Sequence, residues 1–148
     1  MIIMRNWLPI VALLAAASLP ALASRDAALQ ALIDRAETAP LADRAPMFVE
    51  VAERQLKAAD DLYTAGNADE AQAAVKDVVL FSQKARDAAV RSDRKLKSTE
   101  IAIRKMAAKL RDIKRTVIFE DQVPLQAAAD RLESFRTDLQ TKMFGKGK

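Results

Sequence analysis

The chain has 148 residues with 24 basic and 20 acidic side chains, a formal charge of +4, and neither histidine nor cysteine. That composition removes the commonest general base, the thiol nucleophile, the usual zinc and haem ligands and any disulfide. With only Gly66, Gly145 and Gly147 as glycines, there is also no glycine-rich phosphate loop and no dinucleotide fingerprint.

The first element is "MIIMRNWLPIVALLAAASLPALAS". Arg5 precedes an apolar run from Trp7 to Leu19, and Ala21-Leu22-Ala23 closes it, which is the build of a signal peptide over residues 1–23 cleaved after Ala23. The apolar run is shorter than the roughly 20 residues a spanning helix needs, so no transmembrane segment is expected after cleavage. A periplasmic or secreted protein follows, with a helical domain over residues 24–144 and a flexible basic tail over 145–148.

Every strong periodicity beyond the leader is helical. Leu29, Leu32, Ile33 and Ala36 recur at i, i+3, i+4, i+7 in a short first helix, with Ser24 as its N-cap and Pro40 beyond its end. A second helix is predicted from Pro46 to Gly66, burying Phe48, Val51, Ala52, Leu56, Ala59, Leu62 and Tyr63.

From Asn67, an N-cap candidate, to Gln122 there is neither Gly nor Pro. A seam runs through Ala71, Val75, Val78, Ser82, Ala85, Ala89, Ser92, Leu96, Thr99, Ile103, Met106, Leu110, Ile113 and Val117 in one heptad frame. This predicts a long central helix over about 68–118, roughly 75 Å if continuous. Its weak point is residues 91–95, where charge is dense and the seam is lined by small residues. Asp121 as N-cap and Pro124 in the first turn then open a last helix burying Leu125, Ala128, Leu132, Phe135, Leu139 and Met143, with Gly145 as terminator. The expected fold is all-α: antiparallel helical hairpins forming a four-helix-bundle-like domain.

The turn "LYTAGNADEAQAAV" resembles that of a tetratricopeptide-type helical hairpin over about residues 52–80. Gly66 stands at that family's hairpin glycine, Glu70 and Ala71 match its entry to the second helix, and Ala59 fits its small packing position. Val75 replaces the usual aromatic, Gln83 the usual closing proline, and no second copy follows, so the resemblance implies one hairpin and not a peptide-binding superhelix. The remainder resembles small secreted helical proteins of bacteria.

Charge is segregated along the chain. Residues 24–90 hold 8 basic and 12 acidic side chains, residues 91–116 hold 10 and 3, and residues 117–148 hold 5 and 5. On the stretch "LKSTEIAIRKMAAKLRDIKRTV" the apolar seam faces one way, while Lys97, Arg104, Arg111 and Arg115 line the opposite face with Lys105 beside them. Within the helix, Glu100 is spaced to pair with Arg104 and Asp112 with Arg115. These five cations form the candidate interaction surface. The stripe has no interleaved aromatic for base stacking and the leader directs the chain out of the cytoplasm, so nucleic acid is not expected as a partner.

The carboxylate pairs Asp60-Asp61, Asp69-Glu70 and Glu120-Asp121 do not read as acid/base dyads or cation sites, since adjacent helical residues point about 100° apart and the latter two pairs sit where a helix begins and carboxylates complement the dipole. No catalytic residue, metal or cofactor is predicted. The expected role is that of a non-enzymatic adaptor, assembly or chaperone-like module of the cell envelope, docking a protein partner through Phe48, Tyr63 or the heptad seam. The alternative is an electrostatic binder of an anionic envelope polymer or lipid surface through the basic helix 96–117. The small residues Ser82, Ala85, Ala89 and Ser92 also suggest a homodimer contact, where a second helix approaches closely.

Overall fold

The structure, a computed structural model, describes residues 25–145. The expected signal peptide at residues 1–23 and the tail residues 146–148 lie outside them. Among the described residues the fold is all-α, with five helices: α1 (Ala27–Thr38), α2 (Leu41–Thr64), α3 (Ala68–Ser92), α4 (Leu96–Lys114) and α5 (Phe119–Phe144). No helix among these residues is long and apolar enough to cross a membrane.

α2 and α3 form one antiparallel hairpin, α4 and α5 a second, and α1 packs on α2. The hairpins meet with α3 against α5 and α2 against α4. Cross-bundle pairs give the directions: Lys109 late in α4 meets Asp60 late in α2 at 3.1 Å, and Gln72 early in α3 reaches Asp121 early in α5 at 3.4 Å. α2 and α4 therefore run parallel to each other, as do α3 and α5. The turns at residues 65–67 and 115–118 share one end of the bundle, and the 93–95 turn shares the other with the C-terminus of α5.

The central helix expected over about 68–118 is two helices, broken at its weak point of residues 91–95. Most of the predicted seam is buried, from Ala71, Val75, Val78, Ser82, Ala85 and Ala89 to Thr99, Ile103, Met106, Leu110 and Ile113, while Ser92, Leu96 and Val117 are half-buried. The chain nevertheless folds back at residues 93–95, where Asp93 (φ 54°) and Lys95 (φ 61°) are both left-handed. Three causes converge on this break. Arg91, Arg94 and Lys95 repel one another in any continuous helix; the Ser92 hydroxyl accepts from the Arg94 N–H at 3.2 Å, a local turn competing with helical bonding. Folding back also buries the α4 seam against α5, whereas an extended rod leaves it in water.

Helix starts also move. α1 is capped by Asp26, whose carboxylate accepts from the Leu29 N–H at 2.7 Å; the predicted cap Ser24 lies outside the described residues. α2 begins at Leu41, five residues before Pro46, and α5 at Phe119, five before Pro124. Each proline is thus the sixth residue of its helix, removing a bond that the exposed Ala42 or Glu120 would have accepted, where water replaces it. Helix-dipole chemistry favours the earlier starts: Asp43 lies in the first turn of α2, Glu120 and Asp121 in that of α5. The α2–α3 turn ends as expected at Gly66 (φ 82°), with the Asn67 N–H donating to the Leu62 carbonyl at 2.9 Å and the Gly66 N–H to Tyr63 at 3.1 Å.

Candidate functional site: the basic helix and the two bundle ends

α4 is the sequence-predicted site, and its inner face holds it in place. Thr99, Ile103, Met106, Ala107, Leu110 and Ile113 are buried against the rest of the core. Glu100 is buried too, and this corrects its expected pairing with Arg104: its carboxylate accepts from Arg136 of α5 at 3.0 Å. Arg136 also donates to Glu133 at 2.7 Å, and Glu133 accepts from Arg111 at 2.7 Å. Glu100, Arg136, Glu133 and Arg111 thus form an alternating chain of charge joining α4 to α5. Burial alone would raise the Glu133 pKa, but the bonds from Arg111 and Arg136 hold it below its usual 4.5.

The five predicted contact residues do not form one surface. Lys97 and Arg104 line a groove of about 400 Å³ together with Ile101 of α4 and Met143 and Phe144 of α5. Lys105 faces α2, in a separate groove of about 350 Å³ that also holds Lys57, Asp60 and Lys109. Arg111 and Arg115 lie near the opposite end, beside Lys114, Gln122 and Gln126. Lys97, Arg104 and Lys105 are exposed and make no ion pair among the described residues. Arg111 is held by Glu133, and Arg115 pairs with Asp112 at 2.9 Å, as its spacing predicts.

Two apolar features escaped the sequence reading. Ile118, Phe119 and Val123 are 66%, 75% and 60% exposed at the α4–α5 turn. Three consecutive apolar residues, Val117-Ile118-Phe119, were their signal, because a heptad frame buries only one of the three. At the other end Phe144 is 80% exposed, and Met143, expected inside, is half-buried beside it.

Conversely, Phe48 is buried and stacks on Phe81 at 6.2 Å, and Tyr63 is half-buried with its hydroxyl wholly inside and unpartnered among the described residues. Burial, and then the nearby Asp121 carboxylate, push the Tyr63 pKa up to about 12. Of the small-residue stripe, Ser82, Ala85 and Ala89 are buried in the chain's own core and Ser92 is half-buried. These groups belong to the fold.

Two of the three carboxylate pairs have structural neighbours: Asp60 meets Lys109, Asp61 meets Lys57 at 3.1 Å, and Asp121 accepts from Gln72. A further polar cluster, invisible to periodicity, ties down the start of the fold. Arg25 donates twice to Asp77 at 2.7 Å, Gln55 donates to the same carboxylate at 2.9 Å, and the guanidinium lies 5.4 Å from the Phe81 ring centre. No group of His, Cys, Asp and Glu among the described residues is arranged to hold a metal ion.

No known family, curated protein or solved structure matches the chain.

Proposed function

We propose that this is a non-enzymatic interaction protein of the cell envelope, exported by its leader, which serves as an adaptor or assembly module. The observation that carries this reading is the cluster of Ile118, Phe119 and Val123 at the α4–α5 turn. Most of the large apolar side chains of this bundle lie in its core, and these three stand in water within six residues of one another. Exposed apolar side chains beside polar neighbours such as Glu120, Gln122 and Gln126 are the make-up of a protein contact. Export is supported by the leader sequence and by Arg25, two residues past the expected cleavage point, where the chain already docks on Asp77. The hairpin resemblance over residues 52–80 is supported by Ala59 and Ala71, both wholly buried, and by the left-handed Gly66. A photo-crosslinking residue at Phe119 tests the reading in the envelope fraction. A discrete protein adduct, missing when the probe stands at exposed Ala42, is expected; indistinguishable adduct patterns from the two positions would sink it.

A second reading is favoured by a separate observation, the unpaired cations Lys97 and Arg104 at the opposite end. On it the basic helix binds an anionic surface of the envelope, and Phe119 is secondary.

A further inference from the structure

Five cations crowd the end of the bundle where α3 turns into α4. Arg91 closes α3, Arg94 and Lys95 form the turn, and Lys97 and Arg104 lie on the first half of α4. All five are exposed and make no ion pair among the described residues. Of the carboxylates in the same stretch, Glu100 is buried under Arg136 and pairs with it instead. Like charges gathered at one tip repel one another, and an external anion would relieve that repulsion.

The same end carries apolar surface. Phe144, 80% exposed, stands with half-buried Ile101 and Met143 on the groove that Lys97 and Arg104 also line. Cations beside a protruding aromatic match the layered chemistry of a bilayer face, where lipid phosphates overlie acyl chains. A soluble polyanion supplies the charge but no apolar layer for Phe144. We infer that the protein docks end-on to an anionic lipid bilayer, with the 91–104 cations on the headgroups and Phe144 inserted between them. The inference rests on the second reading above and moves its surface from the length of the basic helix to this one tip.

The test is flotation with vesicles of phosphatidylglycerol or of phosphatidylcholine alone. Processed protein lacking residues 1–23 is suitable because, among the described residues, the hydrophobic core runs from Leu29 to Leu139. Binding is expected to phosphatidylglycerol only, and to vanish as the screening length falls from about 10 Å at 0.1 M salt to about 3 Å at 1 M. Each cation contributes about fivefold in partitioning, so the triple variant Arg94→Glu/Lys97→Glu/Arg104→Glu should bind at least about a hundredfold less. Phe144→Ser should lose up to about tenfold, while Lys76→Glu, exposed on α3 away from this end, should bind like the unaltered chain. Circular dichroism confirms that each variant is folded.

Equal binding to phosphatidylcholine, or a triple variant that still floats, would overturn the proposal. Binding to soluble polyphosphate through Lys97 and Arg104 without binding to vesicles would overturn it too, but leave the second reading standing. Binding to neither removes both.

Discussion

From Lys109 onward the cations of α4 are held in place: Lys109 by Asp60, Arg111 by Glu133, Lys114 by Gln126 and Arg115 by Asp112. From Lys97 to Lys105 none of them makes an ion pair among the described residues. One helix thus contains a half whose cations have partners within the fold and a half whose cations face outward without one. The difference arises from neighbours, since α4's own acids serve only Asp112–Arg115 within the helix, and the decisive carboxylates come from α2 and α5. A count of charge along the chain cannot separate the two halves. Ion-pair geometry does, and it moves the candidate surface from five residues spread along a helix to one end of it.

The largest expected effect comes from breaking the held network at its centre. Arg136→Met leaves Glu100, 8% exposed at its side chain, with its carboxylate inside the bundle and no cation. Loss of one partner of a buried pair costs about 3 kcal/mol, because the remaining charge stays desolvated. Urea unfolding should show this as a lower midpoint with an unchanged slope. A loss near zero would mean that water reaches Glu100, and that the charge chain joining α4 to α5 is decoration.

That network marks the limit of what the letters reveal. The seam from Ala71 to Ile113 was legible because burial imposes its own period on a helix, and the same stripe stays inward on both sides of the break. Residues 91–95 were legible as a weak point, but the reversal itself was not: it depends on what α4 gains by lying on α5, a tertiary term. Glu100 shows the failure most clearly. Its spacing to Arg104 is a valid helical pair, yet Arg136, 36 positions away, lies on the buried side and takes the carboxylate. Pro46 and Pro124 misled in the same manner, since a first-turn preference is weak beside the apolar contacts of Ala45 or the favourable dipole of Glu120.

A smaller effect probes the held half through pH. The Glu133 pKa is lower in the folded chain than its ordinary 4.5. Its contribution is therefore fully present above that value and is lost as pH falls through the lower, folded pKa. Glu133→Gln removes it, so the variant should be less stable near neutrality by about 1 kcal/mol and should lose less stability on acidification. Thermal unfolding of both proteins between neutral and acid pH measures this. Parallel curves would show that Arg111 and Arg136 do not hold the carboxylate in solution, and the contrast between the halves of α4 would narrow.

The smallest effect is the sharpest test of the outward half. Lys97 sits in the first turn of α4, a turn with no acidic residue and no side-chain cap hydrogen bond among the described residues, next to Lys95 and Arg94. A cation there opposes both the helix dipole and its neighbours, so Lys97→Glu should stabilise the fold by about 0.5 kcal/mol. Thermal unfolding at low salt reads the gain, and added salt should shrink it. A destabilised variant would show that Lys97 has a structural partner and that the two halves of α4 are alike. A stabilised one means that this lysine works against the fold, so that its use must lie outside the chain, at the end where Arg94, Arg104 and Phe144 also face the solvent.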